Sequence, residues 1–227
     1  MNEYFVGIFE NDAQNPLSFL KDECTYLDTL FMGKGIQKEI IENKGVDAIA
    51  QKLKMITDKM TIFHFSGHHG NSALQFSDDV FNNSGLIEIL NNAKNLKLVF
   101  VNGCATKEIV EKLTNVPVVI GTATPVYDHF AKTLSTSFYQ ILLTDPEQLR
   151  YSDFIENAFL QARGFQMGNY YIDGDKARGL IPFDDLQNRL NNYIFKVNAN
   201  AADFHQRLTY NFDPDQYPVN RSYRMLE

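Results

Sequence analysis

Two short apolar runs, each halted at a glycine beside a reactive side chain, constrain this chain more than any other feature. Thr61–Gly70 reads TIFHFSGHHG and Leu96–Thr106 reads LKLVFVNGCAT. Short runs rich in β-branched and aromatic residues, closed by glycine, are expected as buried strands of a parallel sheet. In such sheets chemistry collects just beyond the carboxyl ends of the strands. If the two strands are neighbours, a histidine of Gly67-His68-His69-Gly70 meets Cys104 at one sheet edge. A cysteine nucleophile and its imidazole partner require that meeting.

The rest of the chain supplies the sheet's other parts. Tyr4 to Phe9 reads as a first strand, and Ile36 to Glu42 as a polar second one. Leu17, Leu20, Cys24, Leu27 and Phe31 recur at helical spacing, which puts Cys24 on a buried stripe as a small core residue. Val46, Ile49, Ala50, Leu53 and Ile56 mark an amphipathic crossover helix. Ala73 to Phe76 fits a short strand before a loop over Ser77–Asn83, and Ser84 a helix N-cap. Thr106 is placed to cap a helix carrying Ile109, Val110 and Leu113. Val116 to Ile120 reads as a strand stopped by Gly121, followed by long helices over Tyr127–Ile141 and Tyr151–Ala162. Strand alternating with helix in this way predicts an α/β sandwich around a mostly parallel sheet.

Past Gly164 the rhythm fails. Gly168–Gly179 reads as irregular, Phe183, Leu186, Leu190, Ile194 and Val197 as one more helix, and NFDPDQYPVNRSYRMLE as an extended tail. The expected organisation is a core over 1–164 with a C-terminal extension over 165–227 packed on it.

Hydrophobic residues make up 44% of the chain, with 18 Phe and 11 Tyr, enough for a core. A formal charge of −7 without a basic cluster speaks against nucleic acid as a partner. No apolar stretch is long enough to span a membrane, and the acidic start MNEYFVGIFEND does not read as a signal peptide. Only two cysteines, Cys24 and Cys104, fit a reducing, cytoplasmic compartment.

Cys104 follows its strand, with Gly103 before it and a helix start near Thr106 behind, a setting that favours the thiolate and leaves backbone N–H groups to face an oxyanion. His68 and His69 compete for the base. The glycine before His68 can make the turn that frees its imidazole. His64 lies on the strand and reads as a satisfied core histidine. A metal site at His64, His68 and His69 lacks both helical ligand spacing and a companion acid. Asp128 lies just past a strand end, where its carboxylate could face the same edge or merely favour a helix dipole. His129 and His205 read as surface or packing residues.

HFSGH followed by LVFVNGCAT resembles the CHAT domain, a caspase-like family of cysteine peptidases related to separases. VPVVIGTATPVYDHFAKTLSTSFYQIL and SDFIENAFLQAR are similar to the family's following strand and helices, so the resemblance runs from about Met1 to Gly164. It implies a caspase-like three-layer sandwich and a cysteine endopeptidase with His68 as base and Cys104 as nucleophile. Caspase-like enzymes usually show His followed by Gly, which would favour His69; the CHAT-like spacing His64-Phe65-Ser66-Gly67-His68 favours His68. Backbone N–H groups of His69 and Cys104 would form the oxyanion hole. His69 stands where the family has a small residue, which is harmless if only its backbone acts. Related separases imply that Asp128 receives a basic side chain before the scissile bond. The resemblance implies no metal or organic cofactor, a protein or peptide substrate, and activation by a protein partner, a sensor domain or oligomerisation, as in bacterial defence or signalling. The rival readings are a catalytically silent adaptor with the same fold and a flavodoxin-like ligand binder. The absence of a phosphate loop disfavours the second.

Overall fold

The computed structural model describes residues 3–10, 15–70, 73–76, 79–177 and 192–198, with 165–177 described by backbone alone. In chain order the elements are β1 (Tyr4–Glu10), α1 (Leu20–Gly33), β2 (Gln37–Glu42), α2 (Val46–Ile56), β3 (Ile62–Gly67), β4 (His69–Gly70), β5 (Ala73–Gln75), β6 (Val80–Asn82) and α3 (Asn83–Asn91). They continue with β7 (Leu98–Asn102), α4 (Lys107–Lys112), β8 (Val118–Thr122), α5 (Asp128–Leu142), α6 (Ser152–Ala177) and β9 (Tyr193–Val197). A six-stranded sheet runs β2-β1-β3-β7-β8-β9, and every pair in it is parallel except β8 with β9.

Both faces of the sheet are covered, which is why its inner strands read as continuous apolar runs. Val6, Ile8, Phe63, Phe65, Val99 and Val101 point into one core, shared with Ile49, Leu53, Leu86, Leu90 and Ile109 from α2, α3 and α4. Phe5, Phe9, Ile62, Leu98 and Phe100 point into the other, against Leu20, Leu27, Phe31, Leu134, Phe138 and Phe159 from α1, α5 and α6. Cys24 belongs to this second core and is buried, as its helical spacing predicts. Helix, sheet and helix make the three layers. No helix among the described residues is long and apolar enough to cross a membrane.

Several local expectations shift. The loop expected over Ser77–Asn83 contains β6, which pairs antiparallel with β5 and sets Phe81 opposite Leu74, both buried. Asn82, not Ser84, is the N-cap of α3: its side chain accepts from the Ser84 N–H at 2.7 Å. The strand expected over Val116–Ile120 starts at Val118, because Pro117 has no N–H to give a ladder.

The largest correction concerns the C-terminal segment. α6 runs on to Ala177 through the stretch expected to be irregular, crossing the boundary expected at Gly164. Tyr193–Val197, expected as the end of a helix, is a strand in the central sheet, with Tyr193 opposite Thr122. Ile194 and Val197 fit a helical stripe, but Tyr193, Phe195 and Val197 equally alternate at strand period, and the open edge of β8 decides between them. Lys196 of β9 caps the end of α4, donating to the carbonyls of Val110 at 3.0 Å, Glu111 at 2.9 Å and Leu113 at 3.2 Å. The rest of the expected helix and the tail with His205 lie outside the described residues.

Candidate active site

The site grows from one pairing. β3 lies beside β7 in parallel register, with Ser66 opposite Asn102 as the last matched residues. His68 and Cys104 each follow two residues later, so the carboxyl ends of adjacent strands deliver an imidazole and a thiol to the same edge. The two turns touch. A methyl group on Gly103 would lie 3.1 Å from the Gly67 carbonyl oxygen and 3.2 Å from His69 Cβ, tight contacts that glycine avoids. Ala105, directly after Cys104, holds a positive φ of 52°, a conformation disfavoured for a residue with a side chain.

The two histidines have different surroundings. His68 Nε2 lies 2.7 Å from the carbonyl oxygen of Asn15, in the segment between β1 and α1. A carbonyl only accepts, so Nε2 carries the proton and neutral His68 keeps its lone pair on Nδ1. His69 Nδ1 lies 2.7 Å from the carbonyl oxygen of Cys104 and donates to it by the same reasoning. His69 Nε2 then accepts from Asn83 Nδ2 at 3.2 Å, and that amide also donates to Glu108 Oε2 at 3.1 Å. Both ring nitrogens of His69 are thus engaged within the fold, its side chain acting as a strut between β4, the start of α3 and the Cys104 turn.

Cys104 is half-buried, and its thiol makes a weak contact with the Val126 carbonyl at 3.9 Å. Ala105 N–H donates to the Thr124 carbonyl at 3.4 Å, so the segment after β8 runs alongside the cysteine turn. Thr106 opens α4 without capping it. Its hydroxyl instead accepts from the Thr122 N–H at 2.8 Å and reaches the Val101 carbonyl at 3.3 Å, pinning that turn to β7 and β8. The Gln75 N–H donates to the His68 carbonyl, which makes that pair the hydrogen-bonded one. His69 opposite Leu74 is therefore a non-hydrogen-bonded pair, its N–H turned away from β5.

Asp128 opens α5, and its Oδ2 accepts from the Phe19 N–H at 2.9 Å. One carboxylate oxygen thus serves the N-terminus of α1, where unmatched amides favour a negative charge. Val126, whose carbonyl faces the thiol, is two residues away.

Where β3 and β7 end lies a buried polar cluster that sequence reasoning missed. Glu23 of α1 is 1% exposed. Its Oε2 accepts from Ser66 Oγ at 2.7 Å, and its Oε1 accepts from Asn102 Nδ2 at 3.1 Å and from the Ser135 hydroxyl of α5. His64 Nε2 stands 3.2 Å from Oε1, an ion-pair distance without hydrogen-bond alignment. His64 is fully buried, its Nδ1 3.3 Å from Tyr139 Oη, with Phe9 and Phe100 ring centroids at 5.4 Å. Tyr193 Oη donates to Asn102 Oδ1 at 3.0 Å. Burial pushes the Glu23 carboxyl upward, but the His64 imidazole and the Ser135 and Ser66 hydroxyls outweigh it and leave it below its ordinary value. Burial, and secondly the Glu23 charge, raise Tyr139 and Tyr193, which stay neutral phenols. A signal was present: Glu23 is an acid on the stripe otherwise carrying Leu20, Cys24, Leu27 and Phe31.

No family model and no curated protein sequence matches the chain. Among solved structures it is similar to the Arg-specific cysteine proteinase gingipain R, with a TM-score of 0.57 and 13% identity, over 86% of this chain and 46% of that one. The chain thus spans less than half of that proteinase, and at this identity the likeness is one of fold. Sheet order, helical layers and that likeness agree: the chain has a caspase-like α/β fold.

Proposed function

We propose that the protein is a CHAT-type cysteine endopeptidase with His68 and Cys104 as its catalytic dyad. The observation that carries this reading is the register of β3 against β7, which ends level at Ser66 and Asn102, two residues short of His68 and Cys104. In this reading the Asn15 carbonyl holds His68 by Nε2–H, and Nδ1 takes the thiol proton. The thiolate attacks the peptide carbonyl carbon, and the oxyanion accepts from the N–H groups of Cys104 and His69. Collapse expels the amine, which receives the proton from His68, and leaves a thioester on Cys104. Water, deprotonated by His68, then hydrolyses the thioester and restores the thiol.

The side chain of His69, held at both nitrogens, supports His68 as the base. A preference for a basic residue before the scissile bond belongs to the same proposal. Arg specificity is named for the gingipain neighbour, and Asp128 beside the Val126 segment is the acid here that could receive such a side chain. Activation by a protein partner or by oligomerisation completes the reading.

The test is a cysteine-directed peptide probe and a peptide library applied to the parent, Cys104→Ala and His68→Ala proteins. Labelling and cleavage in the parent, lost in both variants, are expected. Cleavage that survives Cys104→Ala would reject the mechanism, and a parent that neither labels nor cleaves with candidate activators present would leave a binding module.

A further inference from the structure

Glu23 is out of character with its surroundings, a carboxylate sealed in an aromatic core on a helix face that is otherwise apolar. A buried charge is strongly unfavourable unless its partners are well placed, and a hydrophobic residue of similar size would serve packing alone as well or better. Its partners give it a different meaning. Ser66 and Asn102, which it binds through separate oxygens, are opposite one another as the last paired residues of β3 and β7. Each is two residues before a member of the proposed dyad. The same Oε1 takes the Ser135 hydroxyl, and Asn102 Nδ2 also reaches the Ala131 carbonyl at 3.0 Å, which adds α5 to the junction.

We infer that Glu23 is a positioning residue for His68 and Cys104, its carboxylate fixing the relative height at which the ends of β3 and β7 present the imidazole and the thiol. The backbone ladder of β3 and β7 sets their register as far as Ser66 and Asn102, and the directed hydrogen bonds of the carboxylate hold the two side chains at which that ladder ends. A shift of 1 Å between reacting groups can cost about 10²-fold in rate. The His64 imidazole adjoins the carboxylate, 3.2 Å from Oε1, and is itself held among the tilted and edge-on rings of Phe9, Phe100 and Tyr139.

The catalytic part of this inference rests on the peptidase reading, so the test has a readout independent of peptide cleavage. Full-length protein with Cys24→Ala as background is compared with its Glu23→Gln and Ser66→Ala derivatives. Gln keeps the volume but offers one acceptor oxygen where Glu offers two; Ala removes only the β3 arm. Circular dichroism establishes folding, iodoacetamide alkylation reads the reactivity of Cys104, and peptide turnover separates kcat from KM. Folded Glu23→Gln is expected to lose roughly 10- to 100-fold in kcat, with KM nearly unchanged and a parallel fall in alkylation rate. If Glu23→Gln does not fold, Ser66→Ala decides by the same readouts with a smaller loss. A folded variant whose alkylation rate and kcat both stay within about twofold of the parent would overturn the positioning role. Alkylation that depends on both His68 and Glu23, in a parent that cleaves no peptide, would sustain the positioning role and reject the peptidase.

Discussion

His69 donates from Nδ1 to the carbonyl oxygen of Cys104 at 2.7 Å, so the residue next to His68 grips the backbone of the cysteine rather than its thiol. The neighbouring histidines are therefore held differently: His68 by Nε2, which leaves its lone pair on Nδ1, while His69 braces the turn.

That difference predicts unequal mutants. His68→Ala is expected to lower kcat/KM by roughly 10²–10⁴-fold, the usual worth of a general base. His69→Ala keeps the backbone N–H but strips a partner from Asn83, which is 2% exposed. The amide keeps Glu108 as one acceptor, but a buried N–H left without its partner costs about 1–3 kcal/mol, so this variant should show a lower melting temperature and a smaller loss of turnover. A larger kinetic loss in His69→Ala would move the base assignment to it.

The two thiols should differ in reactivity. Burial, with the Glu42 charge adding to it, pushes the Cys24 thiol up to about 12, so it holds almost no thiolate at neutral pH. Cys104 is half-buried beside an imidazole-bearing strand end. Peptide mapping after brief iodoacetamide treatment of native protein should find label on Cys104 and little on Cys24, and Cys24→Ala should leave turnover intact. Equal labelling before unfolding would contradict the buried placement of Cys24.

Asp128 has two roles that substitution can part. Asp128→Asn retains an oxygen for the Phe19 N–H while removing the charge; Asp128→Ala removes both. A capping contact is worth about 0.5–2 kcal/mol, so only the Ala variant should melt appreciably lower. If the carboxylate also receives a basic substrate residue, both variants should lose turnover of Arg and Lys peptides far more than of neutral ones. Unchanged selectivity in Asp128→Asn would leave the residue with the helix terminus alone.

Glu23 also predicts an acid dependence of stability. Its carboxyl is raised by burial, then lowered by more through His64, Ser135 and Ser66, ending below its ordinary value in the native state. The native protein therefore binds this proton less readily than the unfolded chain. The resulting stabilisation is complete above the unfolded value and disappears as pH falls through the native value. Urea midpoints between about pH 6 and 3 should fall less steeply for Glu23→Gln than for the parent. Parallel slopes would show that Glu23 titrates alike in both states.

The strands that lead to His68 and Cys104 were legible because burial on both faces leaves a local trace: Ile62, Phe63 and Phe65 in one and Leu98 to Val101 in the other put apolar side chains on both faces, and each run is closed by a glycine. The helices over Val46–Ile56 and Asp128–Leu142 were legible for a related reason, their apolar stripes recurring within one turn of chain. Residue chemistry and spacing thus determined the fold class and the two side chains at the sheet edge. Tertiary structure decided what holds them. The Asn15 carbonyl that orients His68 has no side-chain signature, since every residue carries one. The bonds of Glu23 to Ser66, Asn102 and Ser135 join positions far apart in sequence and exist only once α1 and α5 are packed on the sheet. Tyr193–Val197 is a strand because β8 presents an edge to it, and an edge belongs to the assembled sheet rather than to any one segment.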